Sequence, residues 1–273
     1  MIPVYRRLIN YLLTDLAVQA SVGTFSALKL RSEKYFDLTG LATFNTLATA
    51  SLFIPASKLQ AKSPLLSRVN QRKFLATWAV FIWSTRLAKQ QFQRALNSND
   101  GRFDSIRNNP IKFLFTWFVQ AVWVGATLTP VLLLNFSQPK NIKTLYDAPA
   151  IFLFMAGFAL EAMADLQKDG FKKNPANKGK FIDVGVWKYI EFPNYAGEIL
   201  LWSGLSMYCW PVVSKIGKFG KFSCFLSPLY TFTMLTFLSG VPLQRKQAND
   251  RWATDPAYSV HRSQIGMYWP KFW

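Results

Sequence analysis

Acidic side chains flank a polar stretch between residues 161 and 198, where an apolar run breaks off and later resumes. Glu161 and Asp165 lie four residues apart at the end of the apolar run, so on a helix they share one face. Glu198 falls in the first turn of the following helix, where an acid interacts favourably with the helix dipole. A carboxylate inside or beside a membrane span is costly, so these acids indicate a functional site. The alternative interpretation is that they pair with neighbouring lysines at the membrane surface.

Basic side chains in the same stretch and near the C-terminus could bind the phosphates of a nucleotide. A lysine serves phosphate as a point charge even without the bidentate geometry of arginine. We expect phosphate contacts from four residues: Lys178, Lys180, Arg251 and Arg262. For any single lysine the alternative is a solvated loop attracted to anionic lipid. The sequence has no glycine-rich strand-to-helix turn, so helices and loops would have to hold a nucleotide.

Several motifs give the sequence a resemblance to a known family. They are KNPANKGK (173–180), GVWKY (185–189), PNYAGEILLWSG (193–204), SGVPLQRK (239–246), YFDLTG (35–40), WSTRL (83–87) and a tail over 258–269. On these motifs the chain resembles the steroid 5α-reductase-like membrane family, in its poorly characterised branch. Its C-terminal half is also similar to the isoprenylcysteine methyltransferases, which bind S-adenosylmethionine there.

The resemblance implies that NADPH is held by the cytosol-facing loops and the last helices. Asp165 matches a family aspartate that contacts the nucleotide, and Glu161 lies one turn before it. Glu198 matches the glutamate that follows the motif's glycine, which implies a contact with the nicotinamide amide or the ribose. Asn194 and Tyr195 match the Asn-Tyr pair of the same motif.

The sequence departs from the family pattern directly before this motif. Where the branch has Ser-Arg-His, this chain has Ile190, Glu191 and Phe192. The change removes a cation and an imidazole and adds an acid, so an anionic cofactor is repelled if Glu191 faces it. It also argues against the methyltransferase interpretation, because there the Arg-His pair belongs to the cofactor site.

We predict NADPH-dependent reduction of a hydrophobic enone or a related sterol- or isoprenoid-like lipid within the membrane. Hydride would pass to the electron-poor carbon while an acid polarises the carbonyl oxygen, and Tyr195 is the candidate for that acid. The alternative is a family member that has lost catalysis and serves as an accessory subunit of a membrane complex, such as a mitochondrial one. Glu191 and Phe192 favour this alternative. The residues that favour the enzyme are Asp165, Asn194, Tyr195 and Glu198.

The composition is typical of a protein that resides in lipid. Hydrophobic residues make up 51% of the 273, with 24 Phe and 10 Trp, and the net charge is +18. The charges lie between apolar runs rather than on one periodic face, so we expect lipid headgroups and not nucleic acid as their partner. Cys209 and Cys224 both fall in apolar segments, which predicts no disulfide framework, and no zinc-ligand spacing occurs.

The apolar runs predict an all-α polytopic membrane bundle of about seven transmembrane helices. We place the spans at 8–28, 38–57, 74–87, 113–136, 148–166, 195–213 and 222–241. The third run is short, so the number of spans is the least certain element of the prediction. We expect one membrane-embedded domain over 1–273, with a polar loop at 167–194 and a C-terminal tail at 242–273 on the same side.

Charge asymmetry predicts the orientation. With seven spans, 20 Lys and Arg fall on the side of the C-terminus and 12 on the other. The positive-inside rule therefore places the C-terminus and the 167–194 loop in the cytosol or the mitochondrial matrix. We expect the endoplasmic reticulum membrane, with the mitochondrial inner membrane as the alternative because the first 30 residues hold a single acid.

The orientation can be tested with reporters fused to the two ends of the chain. A reporter after the C-terminal residue should read cytosolic or matrix, and one before the N-terminal residue should read the opposite side, because seven is an odd number of crossings. If both reporters lie on one side of the membrane, the seven-span prediction is wrong.

Overall fold

A computed structural model describes residues 2–57, 69–97, 103, 106, 108–137 and 144–271. The described residues form nine α-helices: α1 (Ile2–Phe25), α2 (Phe36–Ser57), α3 (Gln71–Asn97), α4 (Pro110–Phe136), α5 (Asp147–Lys173), α6 (Pro193–Val213), α7 (Lys218–Thr233), α8 (Val241–Trp252) and α9 (Pro256–Gln264). Short π-helical turns follow α1 and α7, at Ser26–Leu30 and Met234–Leu238. Within these ranges the chain has no strand, apart from one bridge between Ile190 and Gly266. The all-α prediction is confirmed.

Four helical segments in the described ranges are long and apolar enough to cross a membrane: Pro110–Phe136, Asp147–Lys173, Pro193–Ile216 and Lys218–Trp252. They coincide with the last four predicted spans. The first three predicted spans also fall on helices, α1 to α3, but these are not among the four apolar candidates. A helical membrane protein is therefore supported, and the number seven stays a prediction.

Two compact units make up the described chain. The first contains residues 1–147 and 206–227, and the second contains 148–205 and 228–273. The expected loop and tail both belong to the second unit. The loop is shorter than predicted because α5 continues to Lys173, and most of the tail is helical, in α8 and α9.

The first unit is built from α1 to α4 around aromatic and small residues. Trp83 and Phe44 are fully buried, and their rings meet edge-on with centroids 5.3 Å apart. Gly23 of α1 faces Trp117 of α4 so closely that an added Cβ would lie 2.6 Å from the indole ring. Asn109 begins α4 by accepting a hydrogen bond from the Lys112 backbone N–H, at 3.1 Å, with Pro110 at the first helical position.

A buried ion pair also stabilises the first unit. Arg72, 6% exposed, donates to both carboxylate oxygens of Asp147 at 2.7 and 2.8 Å and to the backbone oxygen of Tyr208 at 2.9 Å. Its guanidinium carbon lies 4.7 Å from the centre of the Tyr208 ring. Removing Asp147 would leave the buried Arg72 cation without its counter-ion, so the pair holds the first turn of α3 against Asp147 within this unit.

The second unit depends on a glycine contact between α5 and α6. A Cβ on Gly157 would lie 2.6 Å from the Gly197 backbone oxygen, and one on Gly197 would lie 2.5 Å from the Glu161 backbone nitrogen. Further along the same pair of helices, a Cβ on Gly204 would lie 2.6 Å from the Ala150 oxygen. The two helices therefore approach backbone to backbone, as small residues allow.

This contact makes Gly197 sensitive to substitution. Gly197→Ala places a methyl group against backbone atoms that cannot rotate away, so we expect a loss of about 1 to 3 kcal/mol and a lower melting temperature in detergent. Gly170→Ala on α5 is the matched control, because a Cβ there meets nothing within 4 Å. That control should be neutral or slightly stabilising, since alanine favours helix. Equal melting of the two variants would count against a tight contact at Gly197.

Candidate functional site

The polar segment between α5 and α6 is fixed to the last turns of α5. Buried Trp187 donates its indole N–H to the Ala164 backbone oxygen at 2.9 Å. The Val186 backbone N–H donates to the Gln167 side-chain oxygen at 2.9 Å. Gly185 adopts a φ of +59°, which favours glycine, and it packs directly on the Gln167 side chain. The GVWKY motif thus holds the segment against α5 next to Asp165.

The C-terminal tail pairs with the residues directly before α6. Backbone N–H groups of Glu191 and Phe192 donate to the oxygens of Gly266 and Met267 at 2.8 and 3.0 Å. Phe192 is 4% exposed and packs with Ala196, Val241 and Tyr268. The tail therefore packs against the residues at the start of α6.

Tyr268 belongs to this group of packed residues and lies outside the apolar spans. Burial raises the pKa of its phenol, although the hydrogen bond with the Thr236 hydroxyl, at 2.7 Å, acts in the opposite direction. The phenol is therefore neutral at physiological pH.

Glu191 pairs with arginines from α8 and α9. Arg245 donates to its two carboxylate oxygens at 2.9 and 2.6 Å, and Arg262 Nε lies 3.7 Å from Oε1. The Glu191 side chain is 15% exposed, while the two arginine side chains are 31% and 34% exposed. One carboxylate against two guanidinium groups leaves a net positive cluster. The expected repulsion of an anionic cofactor by Glu191 therefore does not apply, because the acid is neutralised where it lies.

A chain of hydrogen bonds leads from Lys168 to Tyr195. Lys168 Nζ donates to the Gln244 side-chain oxygen at 3.0 Å, and Gln244 Nε2 donates to the Tyr195 hydroxyl. The ammonium group also lies 4.8 Å from the centre of the Trp187 ring. The Tyr195 ring stacks on Phe192, with centroids 5.6 Å apart. The phenol oxygen thus receives an N–H that is polarised by a cation.

The predicted carboxylates all belong to the second unit. Glu161 and Asp165 are 2% and 4% exposed, and both interact with other groups of the chain. The glycine contact brings the backbone of Glu161 against Gly197, the residue before half-buried Glu198. Asn194 Oδ1 is a buried acceptor without a hydrogen-bond partner in the described part of the chain. A side chain of this kind is suited to receive a donor from a ligand.

The structure separates the predicted cations into two groups. Arg262 belongs to the Glu191 cluster and also donates to Asn249 at 2.9 Å. Lys178, Lys180 and Arg251 are exposed, and their side chains make no hydrogen bond or ion pair with any described residue. Their exposure is compatible with a solvated loop and with phosphate binding, so the phosphate contacts of these three stay a prediction.

An aromatic cluster holds the lysine-containing loop on the tail. Phe181 contacts Trp252, Tyr258 and His261 at centroid distances of 6.3, 5.4 and 5.5 Å. The Trp252 indole donates to the Gly179 backbone oxygen at 2.7 Å. His261 stacks on Phe181 as part of this cluster.

Sequence reasoning missed Gln244, Arg245 and the contact of Lys168. The first two lie in the SGVPLQRK motif, which was recognised without a role for its polar residues. Their partners lie 49 to 76 positions away in sequence, so spacing alone could not identify the pairs. Among the described residues no group of His, Cys, Asp and Glu could hold a metal ion. Cys209 and Cys224 are buried and not joined to each other.

A shallow, open groove on α1 holds none of these side chains. Its lining is apolar or weakly polar: Leu13, Thr14, Ala17, Val18, Ser21 and Val22. It belongs to the first unit and offers no group for the predicted chemistry.

Comparison with known families decides the classification. Residues 26–265, most of the chain, match the family described as "Protein of unknown function (DUF1295)". The chain belongs to the DUF1295 family. This family is associated with steroid 5α-reductase-like proteins, which agrees with the broad resemblance.

A segment of the chain is also similar to a protein of Ustilaginoidea virens named "Probable O-methyltransferase ustE". The two are 34% identical over 68 residues, which cover 25% of this chain and 24% of the relative. The similarity thus spans about a quarter of the length of that curated relative. No solved structure matches the chain.

The ion pair between Glu191 and Arg245 should be measurable as a coupling free energy. In a double-mutant cycle of Glu191→Gln and Arg245→Gln, we expect a coupling of about 1 kcal/mol in the free energy of unfolding, because the pair is bidentate and partly buried. Arg251→Gln on the same helix is the matched control and should not couple to Glu191→Gln. Coupling of Arg245 no larger than that of Arg251 would contradict the pair.

Proposed function

We propose that this DUF1295 protein is an NADPH-dependent reductase of a hydrophobic enone or a related sterol- or isoprenoid-like lipid. The observation that carries the proposal is the hydrogen-bond chain from Lys168 through Gln244 to Tyr195. A hydrogen-bond donor on the phenol oxygen favours loss of the phenol proton, and the side chains around it are polar and cationic. The apolar helices agree with a substrate that dissolves in the membrane.

The residues of the second unit suit a dinucleotide in charge and in hydrogen-bonding capacity. Arg245 and Arg262 would bind its phosphates, because the Glu191 cluster keeps a net positive charge. Asn194 would receive a donor from the amide or a ribose through its buried oxygen. Glu198 lies in the second turn of α6 and not in the first turn as expected, because the helix begins at Pro193; it would accept a second hydrogen bond. NADPH would supply the hydride for the electron-poor carbon.

Tyr195 is the residue of this site that can donate a proton to a carbonyl oxygen. When the phenol gives up its proton, the N–H from Gln244 stabilises the oxygen that is left negative. Lys168 strengthens that donor by holding the Gln244 oxygen. Stacking on Phe192 fixes the ring, so the hydroxyl is held in one direction. This is the arrangement that general acid catalysis requires.

Methyl transfer to an oxygen is a second candidate, favoured by the name of the Ustilaginoidea virens relative. In that case the second unit would bind S-adenosylmethionine, and a carboxylate such as Glu198 would take the proton of the accepting hydroxyl. The third candidate is the accessory subunit of a membrane complex. Glu191 and Phe192 were the residues that favoured a loss of catalysis. That argument is weaker because Arg245 neutralises the charge of Glu191 and because Phe192 stacks on the Tyr195 ring.

The proposed acid can be tested by removing a single hydroxyl. With a steroidal enone such as progesterone as the probe, Tyr195→Phe should lower turnover by about 10²- to 10⁴-fold, the usual contribution of a positioned acid, and leave NADPH binding unchanged. Tyr189→Phe is the matched control, because Tyr189 is 56% exposed. The readout is NADPH oxidation by purified protein in detergent. Equal turnover of the two variants would show that Tyr195 is not the proton donor.

The nucleotide contact of Glu198 is tested by binding rather than turnover. Glu198→Ala should weaken NADPH binding by roughly ten- to a hundredfold, on the order of 1 to 3 kcal/mol for a hydrogen bond to a charged group. Nucleotide fluorescence in detergent gives the dissociation constant. Glu191→Arg with Phe192→His, which restores the family pattern, should now destabilise the protein, because it replaces an ion pair by like charges and a buried ring by an imidazole. Tighter NADPH binding by a stable double variant would contradict the role given to Glu191.

A further inference from the structure

The groove on α1 is an apolar surface of the first unit. It has a volume of about 520 Å³ and is lined by six residues: Leu13, Thr14, Ala17, Val18, Ser21 and Val22. Leu13 and Val18 are 57% and 38% exposed, so large apolar side chains border the groove without being covered. At 1.5 Å per residue the groove extends over about 14 Å along the helix. An apolar chain of similar length could lie in it.

Two arginines lie on the same face of α1, ahead of the groove. At about 100° per residue, Arg6 and Arg7 fall within the arc that the lining residues occupy around the helix. From Arg7 to Leu13 the distance along the helix is about 9 Å. Both arginines are exposed, and neither makes a hydrogen bond or an ion pair with any described residue. One face of α1 therefore changes from cationic to apolar within two turns.

The arginines lie level with the end of an apolar helix. One turn after Arg7, the Tyr11 ring meets the Phe136 ring with centroids 5.0 Å apart. Phe136 is the last residue of α4, which is one of the four apolar candidates for a membrane span. At this same end, Lys73 of α3 donates to the Asn135 backbone oxygen at 2.8 Å. The cations thus lie where the apolar region ends, at the level where a membrane carries its phosphates.

The charge at this end of α1 has no acidic compensation from the surrounding helices. Four segments contain no Asp or Glu: 2–14, 69–97, 110–137 and 206–227. The Asp147 carboxylate is bound by Arg72. Lys73 lies before the third predicted span, and its pKa is lowered to about 8, first by burial and then by the charge of Arg7. An anion bound at Arg7 would offset the repulsion between these two cations.

We propose that this face of α1 binds an anionic phospholipid, with its phosphate at Arg6 and Arg7 and one acyl chain in the groove. Guanidinium groups match the geometry of phosphate, and cations beside a membrane attract anionic lipid. The apolar lining favours a lipid over free phosphate, because phosphate alone would leave the groove empty. This inference does not depend on the proposed reductase activity, and most of α1 precedes the range that matches the family.

Native mass spectrometry of the full-length protein tests the choice of headgroup. With equal amounts of dioleoyl phosphatidylglycerol and dioleoyl phosphatidylcholine in detergent, the wild type should retain the anionic lipid at least about tenfold more than the zwitterionic one. Arg6→Gln with Arg7→Gln should bring this ratio close to one. Lys218→Gln with Lys221→Gln, two exposed cations of the same unit outside the groove, is the matched control and should keep the preference. Equal retention of the two lipids by the wild type, or equal losses in the two double variants, would overturn the proposal.

The acyl chain is tested by filling the groove. Ala17→Trp should lower the retention of phosphatidylglycerol at least about tenfold, because each CH₂ that leaves the groove loses its burial. Ala20→Trp is the matched control, since Ala20 is also exposed on α1 but does not line the groove. Glycerol 3-phosphate at millimolar concentration should not displace the lipid. Displacement by that soluble phosphate, or full retention of the lipid by Ala17→Trp, would show an anion site without an acyl chain and contradict the proposal.

Discussion

The backbone contact between α5 and α6 is the constraint on which the second unit depends. Gly157, Gly197 and Gly204 let the two helices touch without side chains between them. This closeness sets the backbone of Glu161 against Gly197, between Tyr195 and Glu198 in the first two turns of α6. Because a carboxylate at such a contact cannot be solvated freely, it must be held by the fold, and both Glu161 and Asp165 are. The position of every candidate side chain on α6 follows from these glycines.

Charge compensation explains how the chain tolerates an acid in front of its most specific motif. Glu191 looked like a loss of function in the sequence, because it stands where a cation is expected. In the structure it accepts from Arg245 and lies beside Arg262, so the cations come from later helices and the acid orients them. The effect of Glu191 on the charge of the site therefore depends on arginines that lie far from it in the sequence. The net positive charge of this cluster suits the proposed anionic cofactor, whereas the isolated acid in the sequence suggested repulsion.

The helices could be predicted from hydrophobic periodicity and length, because each apolar run is long compared with the loops. The helices α4 and α6 begin at Pro110 and Pro193, slightly before the predicted spans at 113–136 and 195–213, because proline suits the first position of a helix. The extension of α3 to 27 residues could not, because its polar half carries no apolar signal. The helical nature of the tail was missed for the same reason. The motifs made Asp165, Asn194, Tyr195 and Glu198 candidates, and their roles stay predictions. Gln244 and Arg245 became candidates only from the fold, because each contacts a residue about 50 positions earlier.

The central claim is that the second unit binds a phosphorylated nicotinamide nucleotide at the Glu191–Arg245–Arg262 cluster. Parallel titrations of the purified protein with NADPH and with S-adenosylmethionine, at low and high salt, test it most directly. The account predicts saturable NADPH binding that weakens as salt screens the arginines, that is lost in Arg245→Gln and that persists in Arg251→Gln. Failure to bind NADPH at millimolar concentration, or saturable binding of S-adenosylmethionine in its place, would contradict the account.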